Sequence, residues 1–253
     1  MYYIGIDIGS TGAKGVLYKD DIICREIMPT GWKPKETGRN LYYKLLNDSN
    51  ISEKDIENVV VTGYGRVAVD FADKVVTEIT CHAKGGYYLN NSVRTIIDIG
   101  GQDSKVISLD SNGQVKDFIM NDKCAAGTGK FLEVTINSLG ASLDEIDEIT
   151  EGVEPVKINS MCTVFAESEI ISLISAGKNK EEVAMGVINA IAEQGKNLLK
   201  KIKVKDIVLF TGGLAKSSVI KDTLSKKINE NIITSRDSLY AGAIGAAVIA
   251  SEL

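Results

Sequence analysis

The chain is short of several residue types, and each shortage removes a class of answer. His82 is the one histidine in 253 residues. Cys81 stands beside it, but a single imidazole and a single thiol do not make a metal site. Adjacent side chains on a helix also diverge by about 100°, so both read as structural or interfacial. Four cysteines in a chain of this length are too few for a disulfide scaffold, which leaves them free, catalytic or metal-bound. The three prolines leave few breaks. The longest apolar runs, such as Ala243 to Ala250, are far too short to span a bilayer. No basic stretch with an apolar signal core precedes the first strand pattern, so the expectation is a cytoplasmic protein without a membrane partner. The net charge of −5 argues against nucleic acid or an anionic membrane as main partner. A Walker loop, G-x-x-x-x-G-K-[ST], is also absent.

What is present reads as alternating strands and helices, in a chain long enough for one large domain or two small ones. Tyr2 to Ile8 is an apolar strand that runs into Asp7-Ile-Gly9-Ser10-Thr11-Gly12-Ala13-Lys14, followed by a strand from Gly15 to Tyr18. A carboxylate at a strand end, then glycine and two hydroxyls in a hairpin, suits a phosphate. Glycine lets the backbone approach, and hydroxyls and N–H groups donate to oxygen. The carboxylate would hold Mg²⁺, through water. An ordinary hairpin turn has the same composition. Thr95 to Ile99 repeats the pattern and ends in Asp98-Ile-Gly100-Gly101-Gln102-Asp103-Ser104, so two Asp-Ile-Gly units stand 91 residues apart. Gln102 could orient an attacking water, or be a polar turn residue. Ile207 to Phe210 is a strand leading into Thr211-Gly212-Gly213-Leu214-Ala215. This strand, Gly-Gly and helix arrangement suits an adenosine lying over bare backbone. Gly63-Tyr64-Gly65-Arg66 is a further strand-to-helix turn, as compatible with a ligand contact as with none. Small residues crowd the last helix, Tyr240-Ala-Gly242-Ala-Ile-Gly245-Ala-Ala, which implies close helix packing or close approach to a ligand. Helices are expected over 39–47, 78–89, 127–139 and 164–175, with capping boxes at Ser142/Glu145 and Asn179/Glu182.

Two stretches echo each other: Asn121-Asp-Lys-Cys124-Ala-Ala-Gly-Thr-Gly and Asn159-Ser-Met-Cys162-Thr-Val-Phe-Ala-Glu. Each places a cysteine three residues after an asparagine and just ahead of an amphipathic run. A helix N-terminus, with its partial positive charge and spare N–H groups, favours thiolates or an anionic cluster.

Taken in order, the Asp7, Asp98 and Thr211 motifs resemble the two phosphate motifs and the adenosine motif of the sugar kinase, heat-shock chaperone and actin ATPase superfamily. The stretches from Asn121 to Glu133 and from Cys162 to Glu169 narrow this, as do Gly63-Tyr-Gly-Arg66 and Cys81-His82-Ala83. They resemble the activators of 2-hydroxyacyl-CoA dehydratases, a family that includes ATPase subunits of benzoyl-CoA reductases and reductases of double-cubane proteins. The resemblance covers essentially the whole chain. Cys24 lies outside the pattern and reads as an ordinary buried thiol.

The resemblance implies an α/β fold of two duplicated ribonuclease-H-like lobes of the actin-like ATPase type. Each lobe would be a mixed five-stranded sheet flanked by helices, with nucleotide in the cleft between. The lobes would span 1–115 and 116–253, with the C-terminal helix free to pack back on the first, and cluster-binding helices would start at 124 and 162. It implies ATP or ADP with Mg²⁺, the latter served by Asp7 and Asp98. Ser10, Thr11, Gly12, Ala13, Lys14, Gly100, Gly101 and Gln102 would meet phosphates, and Gly213, Leu214, Ala215 and Gly242 the adenosine. One 4Fe–4S cluster would be shared by a homodimer through Cys124 and Cys162 of each chain, which supplies the four thiolates a cubane needs. ATP binding or hydrolysis would then drive one low-potential electron into a partner dehydratase or double-cubane protein, with a ferredoxin or flavodoxin as donor. A small-molecule kinase on the same fold would explain the nucleotide motifs but not the cysteines, and an ATP sensor without turnover is a third reading.

Overall fold

The computed structural model describes residues 1–122, 127–158, 163–202 and 207–253, with side chains everywhere except 163–165. The chain opens with β1 (Tyr2–Ile8), β2 (Gly12–Tyr18) and β3 (Ile22–Pro29). Next come α1 (Pro34–Ser49), β4 (Ile56–Thr62), β5 (Lys74–Val75) and α2 (Glu78–Leu89). A second run follows with β6 (Thr95–Ile99), β7 (Ser104–Leu109), β8 (Val115–Asn121), α3 (Gly129–Ser138) and α4 (Ile146–Thr150). It continues through α5 (Thr163–Ser175), α6 (Lys180–Leu199), β9 (Val208–Gly212), α7 (Ser218–Ile228), β10 (Ile232–Ile233) and α8 (Ala241–Ala250).

The strands form two five-stranded sheets, ordered β3-β2-β1-β4-β5 and β8-β7-β6-β9-β10. The two orders are the same, strand for strand. In the first sheet β2 runs antiparallel to β1 and β3, whereas β4 is parallel to β1 and β5 to β4. In the second, β10 is parallel to β9. The duplication hinted at by two Asp-Ile-Gly units therefore extends through whole sheets, and the architecture is the α/β, actin-like type with mixed sheets flanked by helices.

The compact units do not follow a single cut in the chain. One comprises Met1–Ile96, Ile107–Phe118 and Ser235–Leu253, the other Ile97–Val106 and Ile119–Thr234. In the first unit, strand alternation sorts β1 onto two faces. Ile4, Ile6 and Ile8, with Leu17, Val59 and Val61, bury themselves against Leu41, Tyr42, Leu45 and Leu46 of α1. Each fully buried aliphatic side chain there contributes roughly 1.5–3 kcal/mol. Gly5 and Asp7 point to the other face, where α8 lies.

α8 explains the small residues. A β-carbon on Gly5 would run into the backbone of Ala243 and Ala247, one on Gly85 into the Ala241 carbonyl, and one on Gly245 into the Cys81 carbonyl. The run is thus close packing of α8 against β1 and α2, backbone to backbone. Gly245→Val is expected to cost more than about 3 kcal/mol, since the clash is with main chain and not with a movable side chain. A urea melt checks this against Gly213→Ala, whose β-carbon would meet nothing within 4 Å and whose melt should not move.

Several boundaries differ from the periodicity reading. α1 begins at Pro34, five residues ahead of Arg39, because proline lacks only an N–H that the first helical turn does not use. It ends with Asn50 in the left-handed region at φ 52°, a common helix stop. β2 begins at Gly12, three residues before Gly15, because Gly12 and Ala13 pair with Pro29 and Met28 of β3.

In the second unit, α6 opens on the Asn179/Glu182 capping box. It buries Val183, Val187, Ile188, Ile191 and Ala192 in one cluster with Phe131, Leu132 and Ile136 of α3 and Val208 and Phe210 of β9. Among the described residues no helix is long and apolar enough to cross a membrane.

Candidate functional site

Each unit carries a carboxylate at the end of its central strand, held by the same local geometry. In the first unit Asp7 is cross-strand partner to Lys14 on β2 and to Thr62 on β4. The turn after it closes through Gly9 N donating to the Gly12 carbonyl at 3.2 Å. Thr30 pins the loop from outside, its hydroxyl donating to the Gly9 carbonyl at 2.6 Å and its N–H to the Thr11 carbonyl at 3.1 Å. Thr11 is exposed and Ser10 half-buried, so both residues reach the surface of the turn. Ala13 is fully buried in the α1-facing core, which leaves only its backbone for any ligand.

The second unit repeats this. Gly100 N donates to the Asp103 carbonyl at 2.9 Å, the counterpart of the Gly9–Gly12 bond. Asp98 is buried, and its Oδ1 accepts from the Thr211 hydroxyl at 2.7 Å. Gln102 is exposed on the loop.

The glycine turns after the parallel strands repeat as well. Gly63 has φ 88° and ψ −179°, and Gly212 has φ 94° and ψ −178°. This conformation disfavours a side chain, and a β-carbon on Gly63 would strike the Ile8 carbonyl as one on Gly212 would strike that of Ile99. Each glycine thus lets one parallel strand's end lie against the other just past the aspartate. Arg66 donates to the Gly63 carbonyl at 2.9 Å and holds that turn. Thr62-Gly63 is therefore the internal counterpart of Thr211-Gly212, a parallel the sequence motifs alone had left open.

Gly213 begins the short turn after β9. Leu214 and Ala215 are buried in the second unit's core, so of these three only backbone is offered outward. Gly242 is the fourth residue expected at the adenosine. It lies in the first unit, where a β-carbon on it would sit 2.8 Å from Asp7 Oδ2 and 3.0 Å from His82 Nε2. His82 and Cys81 both face this side. Burial pushes the Cys81 thiol up to about 12, with the Thr62 hydrogen bond acting the other way. It is a neutral packing group at neutral pH, in keeping with a structural role.

Two residues escaped the sequence reading. Thr211 was read as motif and not as a ligand of Asp98. Lys105 was not singled out, although it follows Asp98 by the same seven residues by which Lys14 follows Asp7. That spacing was the available signal. Lys105 is buried, with Nζ 2.9 Å from Asp103 Oδ2 and 3.3 Å from Asp98 Oδ2.

Cys124 and Cys162 lie outside the described residues. α5 begins at Thr163, immediately after Cys162, but α3 begins at Gly129, five residues past Cys124. The first N–H groups of α3 are already committed. Gly129 N donates to the Gly100 carbonyl and Lys130 N to the Gly101 carbonyl, both at 2.8 Å. The start of α3 is therefore bonded to the second aspartate loop.

The sequence profile described as the BadF/BadG/BcrA/BcrD ATPase family matches residues 4–250. The chain is 42% identical over 255 residues to the 2-hydroxyisocaproyl-CoA dehydratase activator of Clostridioides difficile, covering 100% of this chain and 96% of that protein. Among solved structures, it superposes with a TM-score of 0.94 on the activator of the 2-hydroxyisocaproyl-CoA dehydratase from Clostridium difficile with bound ADPNP. Identity there is 41%, with 100% of this chain and 95% of that one covered. For the Acidaminococcus fermentans (R)-2-hydroxyglutaryl-CoA dehydratase component A the TM-score is 0.95 at 36% identity, over 100% of this chain and 98% of that one.

Proposed function

This chain belongs to the BadF/BadG/BcrA/BcrD ATPase family, and from that premise we propose that it is an ATP-driven activator of an iron–sulfur dehydratase acting on a 2-hydroxyacyl-CoA. Its task is to couple ATP binding or hydrolysis to delivery of one low-potential electron. The residues present fit the groups this requires. Asp7 is nearly buried, and the described hydrogen bonds and ion pairs place a threonine and a lysine on Asp98 but none on Asp7. Its carboxylate is thereby suited to a hydrated Mg²⁺. Ser10, Thr11, Lys14 and the backbone of Gly12 and Ala13 are the donors for phosphate on the first loop. On the second, Gly100 and Gly101 let phosphate approach, and the exposed Gln102 orients water. Gly213, where a side chain would meet no neighbour, offers bare backbone to the adenosine.

Cys124 and Cys162, with the same pair from a second copy of the chain, are the four thiolates for a 4Fe–4S cluster. That cluster, when bound, supplies the electron. The observation that carries the coupling is the pair of hydrogen bonds from Gly129 and Lys130 to Gly100 and Gly101. They tie the second aspartate loop to the first turn of α3, whose chain leads back to Cys124. A nucleotide that favours one loop conformation thereby favours one position of α3, which is the differential affinity that coupling needs.

Anaerobic protein tests this through the rate at which a strong chelator strips its iron. ATP in place of ADP is expected to change that rate by about tenfold, on the order of 1.4 kcal/mol of coupling. Equal rates in ATP, ADP and no nucleotide would sink the reading. A colourless protein that phosphorylates a sugar would favour a kinase. A benzoyl-CoA reductase or another double-cubane protein as partner is separated by which of them accepts the electron, with reduced ferredoxin or flavodoxin as donor.

A further inference from the structure

The two aspartate loops are copies that have diverged. Asp7-Ile-Gly-Ser-Thr-Gly-Ala-Lys14 aligns without gaps on Asp98-Ile-Gly-Gly-Gln-Asp-Ser-Lys105. The matched turn bonds, Gly9 N to Gly12 O and Gly100 N to Asp103 O, show that the alignment is structural. Aspartate, isoleucine, glycine and lysine recur at the same offsets. The lysines nevertheless do different things.

Lys14 is half-exposed, and its Nζ lies over the first loop, 3.4 Å from where a β-carbon on Gly9 would stand. The Lys105 and Asp98 side chains are each 3% exposed, and the Lys105 ammonium lies between Asp98 and Asp103. Of the four positions at which the loops differ, one puts a carboxylate beside the lysine. Asp103 stands where the first loop has Gly12. It adds a second carboxylate that draws the ammonium inward, and with Thr211 on Oδ1 and Lys105 on Oδ2 both Asp98 oxygens are engaged.

We propose that Lys105 is a fixed cation built into the second loop, taking the place a divalent ion has in the first, so that Asp7 alone of the two aspartates is a metal site. A divalent ion at Asp98 would have to sit within a few ångströms of a buried ammonium and displace its hydrogen bonds, whereas no described ion pair puts an ammonium on Asp7 and Lys14, the counterpart lysine, is half-exposed. Lys105 is accordingly a positioning residue. It holds Asp98 and Asp103, and with them the Gly100–Asp103 turn that α3 is bonded to. This inference rests on reading the first loop as the Mg²⁺–nucleotide loop.

Mn²⁺ as an EPR-visible probe, titrated into the full protein with ADP, counts the sites directly. Wild type is expected to take one Mn²⁺ per chain. Asp7→Asn should weaken it by about tenfold or more, roughly the effect of removing one charged ligand. The double variant Asp98→Asn/Lys105→Met removes both charges together, so it is the safer variant for folding. It should leave Mn²⁺ affinity within about threefold, a change of well under 1.4 kcal/mol. Lys105→Gln exposes two carboxylates to metal and should admit a second Mn²⁺. The proposal is overturned if the double variant loses Mn²⁺ as severely as Asp7→Asn, if wild type takes two, or if folded Lys105→Gln still takes one. Wild type that binds no ADP overturns the nucleotide reading, and this inference with it.

Discussion

Replacing Cys124 with alanine is expected to remove the iron while leaving ATP hydrolysis in place. In a dimer the change takes two of the four thiolates from a shared cubane, and two remaining ligands do not hold a cluster that four are needed to bind. Bound iron should fall by at least about tenfold, and visible absorbance with it, since each lost thiolate ligand costs more than the roughly 1.4 kcal/mol that a tenfold change represents. Partner activation should vanish. ATP hydrolysis should persist within about threefold, a change under 1.4 kcal/mol. The two loop aspartates belong to β1 and β6, where Asp7 lies against Gly242 of α8 and Asp98 is paired with Lys105. Cys162→Ala should behave alike, because a symmetric cluster draws on both cysteines equally. Iron analysis, a spectrum and an ATPase assay on one preparation decide the matter. A Cys124→Ala protein that kept its iron and its ATP-driven electron transfer would refute the cluster assignment.

The second large effect is at Asp7. Asp7→Asn keeps the shape and removes the charge, so the variant should fold with an unchanged melting temperature. ATP hydrolysis should fall by about 10²–10³, the usual range for losing one electrostatic contact to the transition state, and excess Mg²⁺ should restore little. Asp7→Glu keeps the charge but should not rescue. Gly63 and Gly242 crowd the two carboxylate oxygens so closely that neither could carry a β-carbon, and the added methylene has nowhere to go. Rescue by glutamate would show that the carboxylate is not held in place by those glycines. Steady-state ATPase rates with paired thermal melts separate a catalytic loss from a folding one.

Much of this protein is local and therefore legible in its sequence. β1 and β6 end where the apolar runs meet Asp-Ile-Gly, and α2 begins at Glu78 because Thr77 accepts from Thr80 N. The capping boxes at Ser142/Glu145 and Asn179/Glu182 are present in the structure. Each of these depends on residues a few positions apart, whose spacing is written in the chain. The Asp-Ile-Gly repeat likewise marks the duplication that the two sheets share.

What depended on distant partners could not be read that way. The alanine and glycine run of α8 fitted packing or ligand approach equally well, until Gly5 and Gly85 were found against its backbone, more than 150 positions away in sequence. Gly242 proved a neighbour of Asp7 and His82 for the same reason. The positions of Lys14 and Lys105 were not legible either, since equal spacing hid one half-exposed lysine and one buried between two carboxylates. The sequence by itself determined where the carboxylates, glycines and thiols stand along the chain, because those follow from periodicity and turn chemistry. Only the tertiary structure decided which carboxylate is already neutralised and which helix end is bonded to its loop, because charge pairing and close packing are settled by what folds against a residue and not by what precedes it.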